Sequence, residues 1–126
     1  MTTIKSFTSQ EQSRKLAEFL PFESADMFLA MNGTLPVMSK YIDDGLVTAD
    51  ETAIPCWSLA ALMKILHRNE EDIVSLSYGG YKDGEYILNW CLDYEFEDGD
   101  YKKTFSDNPI DACVAMIEKL HELNLL

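Results

Sequence analysis

Tyr86-Ile87-Leu88-Asn89-Trp90-Cys91-Leu92-Asp93-Tyr94-Glu95-Phe96-Glu97 sets apolar side chains at its even positions against a more polar odd set. That period of two marks a strand with one buried face. Asp83-Gly84 before it and Asp98-Gly99 after it both tolerate positive φ and read as two-residue hairpin loops. The stretch is therefore expected to be the middle strand of a three-stranded antiparallel meander. Such loops fix register. Around Asp98-Gly99 they set Phe96 opposite Tyr101, Glu95 opposite Lys102 and Leu92 opposite Phe105. Around Asp83-Gly84 they set Lys82 opposite Glu85 and Tyr81 opposite Tyr86, and each such pair contributes roughly 0.2–1 kcal/mol. Carried unbroken into the first strand, this register turns Leu76 and Val74 to the polar face. One extra residue at Gly79-Gly80 returns them to the apolar face, opposite Trp90 and Leu92, so a β-bulge is predicted there.

Beyond the meander the chain is helical. Asn108 reads as an N-cap, Pro109 as the first helical residue, and Asp107 and Asp111 favour the positive end of the helix dipole. Ile110, Cys113, Val114, Ile117 and Leu120 form its buried stripe, with His121 falling within it, and Asn124 suits a left-handed ending that folds Leu125 and Leu126 back. Towards the N-terminus, Asn69-Glu70-Glu71-Asp72 is a solvated turn. Pro55 to Leu66 reads as a helix in which Ser58 is the N-cap and Leu59, Leu62, Met63 and Leu66 share a face. Residues 39–55 read as an irregular connector with a short strand at Leu46-Val47. Asn32-Gly33 suggests a hairpin over residues 26–38, although its Ala, Leu and Met content suits a short helix equally; Pro36 would confine its strand to an edge. A first helix is expected from about Ser9 to Leu20, opened by a Thr8/Glu11 capping box and stopped by Pro21. The order α-ββ-α-βββ-α gives an α+β class: one domain over residues 1–126, a largely antiparallel sheet and helices packed on one face.

A chain of 126 residues, 47% hydrophobic, can bury roughly two-thirds of its unfolded surface around one core without metal or disulfide support. Cys56, Cys91 and Cys113 are odd in number and unpaired in spacing, which points to reduced thiols and a cytoplasmic setting. Residues 1–5 lack the apolar run of a signal peptide, and the apolar window 54–66 is too short to span a bilayer, so no membrane association is expected. The net charge of −12 divides unevenly, with 6 basic and 14 acidic residues in 64–126. Such a field opposes direct nucleic-acid binding. It favours solubility, a basic protein partner, or mimicry of nucleic-acid charge.

Ser13-Arg14-Lys15-Leu16, Ser24-Ala25-Asp26-Met27, Pro55-Cys56-Trp57-Ser58-Leu59-Ala60-Ala61-Leu62, Asp111-Ala112-Cys113 and Leu120-His121-Glu122-Leu123-Asn124 together span most of the chain. In these segments the chain resembles a group of small uncharacterised proteins from prophage-like and mobile-element regions of gut anaerobic bacteria. The resemblance implies an accessory role in bacterium–element biology and carries no activity, cofactor or catalytic residue with it.

No motif calls for a cofactor. His67 and His121 sit at the ends of different helices without paired ligand spacing, so no metal site is expected. Asp93 to Gly99 has the acids of a calcium loop, but its glycine falls one place late for that geometry. Trp57 and Trp90 read as core anchors. Cys91, on the strand face opposite the core, is expected to be partly exposed. With Asp93, His67 and a pocket between the second helix and the sheet it supports a small-enzyme alternative, against which stands the absence of an identifiable activating base. The favoured expectation is a non-enzymatic interaction protein. Its docking residues would be the acids Asp93, Glu95, Glu97, Asp98 and Asp100, taken as an acidic meander edge for a basic protein partner. Met27, Met31 and Met38 would add an adaptable apolar surface for a partner or for self-association.

Overall fold

Ser9, and not Thr8, opens the first helix, α1 (Gln10–Ala17). Its hydroxyl accepts from the Gln12 N–H at 3.2 Å while the Gln12 side chain accepts from the Ser9 N–H at 3.0 Å, a complete capping box one residue later than the sequence suggests. Thr8 is otherwise engaged. The computed structural model describes residues 5–29, 36–38 and 54–126. Its further elements are β1 (Met27–Leu29), β2 (Pro36–Met38), β3 (Ile54–Cys56), α2 (Leu59–Leu66), β4 (Ile73–Lys82), β5 (Glu85–Glu95), β6 (Tyr101–Ser106) and α3 (Pro109–Glu122). The class is α+β, with the strands divided between two antiparallel sheets ordered β2-β1-β3 and β4-β5-β6. The expected strand at Leu46-Val47 lies outside the described residues.

The described chain forms two compact units, Ser6–Ala61 and Leu62–Leu126 with Lys5. In the first, Met27–Leu29 and Pro36–Met38 are antiparallel strands: Met27 partners Met38 and Leu29 partners Pro36, and β2 is an edge strand as its proline demands. Ile54-Pro55-Cys56 is a strand too, not the start of the second helix. It pairs with β1 on the opposite side to β2, again at an edge, where a residue without an N–H is tolerated.

A polar network holds this unit together. The Trp57 backbone N–H donates to Thr8 Oγ1 (3.0 Å), Thr8 N–H donates to the Trp57 carbonyl (2.9 Å), and the Ser13 hydroxyl lies 2.8 Å from Thr8 Oγ1. Trp57 is fully buried, and its indole N–H donates to Ser24 Oγ at 3.0 Å. The Asp26 carboxylate accepts from the Ser58 N–H (3.0 Å) and from the Ser58 hydroxyl, and Ser58 Oγ accepts from the Ala61 N–H at 3.2 Å, capping α2 as expected. Ser13, Ser24, Asp26, Trp57 and Ser58 all belong to the segments that carry the sequence resemblance. Here, with Thr8, they satisfy one another's buried and half-buried polar groups, and a buried one left unpaired costs about 1–3 kcal/mol.

In the second unit the meander is present. Asp83 (φ 52°) and Gly84 (φ 86°) form the expected two-residue loop, with Lys82 opposite Glu85 and Tyr81 opposite Tyr86. The other loop differs. Glu95 faces Tyr101, Tyr94 faces Lys102 and Leu92 faces Thr104, one residue out of the expected register. Phe96 N–H donates to the Asp100 carbonyl (2.8 Å) and Gly99 N–H to the Phe96 carbonyl (2.9 Å), with Gly99 at φ 91°, so the loop has three residues, Glu97-Asp98-Gly99. A three-residue loop places its left-handed residue last, as a glycine bulge.

The predicted bulge exists, but its extra residue is in β5. Tyr78 pairs with Trp90 and Gly80 with Ile87, leaving Leu88 and Asn89 opposite Gly79 alone. Leu76 therefore faces Leu92 and Val74 faces Tyr94. An insertion on either strand restores the parity of the apolar face, which is why the pattern alone does not choose between them.

Helix α3 packs on β5 and β6. Asn108 caps it by accepting from the Ile110 N–H at 2.9 Å, Pro109 is first, and Ile110, Cys113, Val114, Ile117 and Leu120 are buried. Its end has the double bond pattern of a Schellman motif, Leu125 N–H to the Leu120 carbonyl and Asn124 N–H to the His121 carbonyl, with Asn124 at φ 57°. His121 is exposed, which corrects its expected place in the stripe. Leu92 and Tyr94 are buried, whereas Tyr86 and Leu88 are 57% and 66% exposed. β5 runs on beyond its last β6 partner, Ser106 opposite Trp90, so its first residues have strand β4 alone beside them.

Candidate functional site

Asp72 draws two acidic turns together. It sits in the turn between α2 and β4, where Asn69 Oδ1 accepts from the Glu71 N–H (3.1 Å) and the Asn69 carbonyl accepts from the Asp72 N–H (3.2 Å). One Asp72 oxygen accepts from the Tyr94 hydroxyl at 2.7 Å and the other from the Glu97 N–H at 3.0 Å. The β5–β6 loop is thereby fastened beside residues 69–72. Between them lies an open depression of about 500 Å³ whose lining includes Arg68, Asp72, Tyr94, Phe96, Glu97 and Asp98. The rings of Tyr94 and Phe96 meet at 4.9 Å between centroids.

The carboxylates here crowd one another. Glu97 is raised above its ordinary value by its hydrogen bond with Glu71, then by desolvation, then by repulsion from Asp72 and Asp98. Tyr94 is pushed up to about 12 by burial, by its hydrogen bond to Asp72 and by that group's charge, with Arg68 acting in the opposite sense. An incoming cation would relieve that repulsion at Glu97.

The five acids singled out in the sequence do not form one edge. β5 is the central strand of its sheet, so Asp93 and Glu95 project from a face, and Asp93 faces Lys103, its carboxylate 3.9 Å from the ammonium. Glu95 is exposed opposite Tyr101. Glu97 and Asp98 lie in the loop and line the depression, while exposed Asp100 donates its N–H to Asp98 Oδ1 at 2.9 Å. Asp72 was missed because its partners lie 22 and 25 residues away and no local period points to them. Met27 is half-buried in β1 and is the register partner of Met38; Met31 lies outside the described residues.

Cys91 is buried, not partly exposed. A Cβ on Gly80 would stand 3.1 Å from its sulfur and 3.3 Å from the Phe105 ring, so Gly80 and Phe105 close over the thiol. Burial raises its pKa, Lys103 lowers it and Asp93 raises it. The His67 imidazole Nδ1 lies 2.9 Å from the Met63 carbonyl of its own helix. Cys91 and Asp93 thus share Lys103 as a neighbour, whereas His67 bonds within its own helix. Among the described residues no group of three or more His, Cys, Asp or Glu side chains converges to hold a metal, and no helix is long and apolar enough to cross a membrane. In comparisons with known proteins, no family model matches this chain, and neither curated proteins nor solved structures give a match.

Proposed function

We propose that this chain is a non-enzymatic interaction protein that docks a basic protein partner on the joined acidic turns, residues 69–72 and 97–98. The observation that carries this reading is the double acceptance by Asp72, which holds the Glu97 loop against the 69–72 turn despite their like charge. Carboxylates supply charge-assisted hydrogen bonds to a lysine or arginine, and Phe96 offers an aromatic face to the same cation. The resemblance to proteins of mobile-element regions fits an accessory role of this kind.

The test is binding of an arginine- and lysine-rich peptide across a salt series. Glu97→Gln with Asp98→Asn is compared with Glu11→Gln and Glu23→Gln, which remove the same charge from exposed positions in the other unit. Loss of about tenfold in affinity for the first pair alone, shrinking at high salt, is expected. Equal weakening by both pairs would reduce the effect to net charge and refute the reading.

A further inference from the structure

Three of the ten basic residues of this acidic chain meet in one place. Lys82 at the end of β4, Lys103 in β6 and Lys119 in α3 line an open depression of about 430 Å³ together with Tyr101, Phe105 and Asp83. Lys82 Nζ stands 6.0 Å from the centre of the Phe105 ring and Lys103 Nζ 5.5 Å from that of Tyr101. Lys103 reaches Asp93 only at 3.9 Å, and among the described residues Lys82 and Lys119 form no ion pair.

The concavity follows from the bulge. With Gly79 at φ 102° and an extra residue in β5, the end of the β4–β5 hairpin bends across the face that carries Cys91 and Phe105. That bend sets Lys82 against Phe105. The same hairpin's loop holds Asp83 at φ 52° and so supplies one carboxylate to the lining.

We propose that this depression binds a nucleoside phosphate. Lys82, Lys103 and Lys119 hold the phosphates through charge-assisted hydrogen bonds, and the base lies on the ring of Tyr101 or Phe105. Asp83 accepts from a ribose hydroxyl or a base amine. This last feature separates the ligand from inorganic phosphate, which offers neither a ring to stack nor that array of donors. The size suits it, since small-ligand sites run from roughly 300 to 1,000 Å³. The overall charge of −12 repels an anion at a distance. Its exposed part is screened beyond about 8 Å at physiological salt, leaving contact with the three ammonium groups to decide binding. The site shares no lining residue with the acidic depression, so it stands or falls separately.

The experiment is an amide NMR titration of the full chain with ATP, AMP and inorganic phosphate, repeated on Lys119→Gln and Phe105→Leu. Saturable shifts centred on residues 81–84 and 101–105 are expected. Affinity should fall in the order ATP, AMP, inorganic phosphate, and Lys119→Gln should weaken ATP by about fivefold or more. Phe105→Leu should weaken AMP while leaving inorganic phosphate unchanged. Lys119 is exposed, so its substitution leaves the fold intact and the comparison stays readable. Three results would overturn the proposal: no saturable shift at about 10 mM ATP, shifts spread evenly over Lys5, Lys15 and Lys64, or an affinity indifferent to Lys119→Gln.

Discussion

The Tyr94 hydroxyl donates to the Asp72 carboxylate across 2.7 Å, and this bond ties the middle strand of the meander to the turn that leads into its first strand. Tyr94 is 2% exposed, so no water readily replaces Asp72 as its acceptor. Asp72→Ala deprives both the phenol and the Glu97 N–H of their partner. A loss of about 2 kcal/mol is expected in urea unfolding, against about 1 kcal/mol for Tyr94→Phe, which leaves the carboxylate to solvent. Because the two residues share one bond, the double variant should lose less than the sum of the singles.

Alkaline pH should unfold the protein through the same phenol and two thiols. Tyr94 is raised from its ordinary 10.0 to about 12, and burial raises Cys113 from 9.0 to about 12. Cys56 is raised as far, by burial and by Asp26. Each folded group keeps its proton longer than its unfolded counterpart. The folded state therefore binds more protons as pH rises from about 9 to about 12, and stability falls across that window. Below pH 9 these groups contribute no slope. Unfolding midpoints measured across the window should show the fall, and Tyr94→Phe should flatten its upper part. At neutral pH the three buried thiols should react with a disulfide reagent only as fast as the chain opens.

Glu97 gives a prediction of the same sign at the acid end, where stability again falls as pH rises through its titration. Its pKa is raised chiefly through Glu71, so its ionisation at neutral pH weakens the fold, and the weakening disappears as pH drops below the carboxylate range. Glu97→Gln should therefore raise the thermal midpoint at pH 7 and leave it unchanged at about pH 3. A variant less stable at neutral pH would mean that the charge is compensated.

Asp83-Gly84 and Asp98-Gly99 explain what the sequence can and cannot decide. Both dipeptides announce a hairpin, but aspartate takes positive φ only at Asp83; at the second loop that conformation falls on Gly99 alone, and the register moves by one. The same ambiguity governs the bulge, where parity admits an insertion on either strand. Helix α3 was legible to its caps because Asn108, Pro109 and Asn124 act within a turn of the residues they control. Ile54-Pro55-Cys56 was not, since its strand character comes from β1, about 27 residues earlier. Of the candidate site, Glu97 and Asp98 could be named from the charge run. Asp72, which holds them in place, could not, because only the fold brings it to Tyr94.

Gly80 lies against Cys91 and Phe105 and gives the sharpest test of the bend. A Cβ there would lie 3.1 Å from Cys91 Sγ, 3.2 Å from Cys91 Cβ and 3.3 Å from the Phe105 ring, each tighter than ordinary van der Waals contact, so the neighbours must give by a few tenths of an ångström. Gly80→Ala should cost about 1–2 kcal/mol, since the buried Cys91 can yield only by displacing its neighbours. Cys91→Ala removes the closest of the three atoms. In that background Gly80→Ala should cost markedly less, and a coupling of about 0.5 kcal/mol or more in a double-mutant cycle is expected. Strict additivity would mean that the hairpin end stands away from Cys91. The bend would then be lost as an explanation for both the buried thiol and the lysine-lined depression beside it.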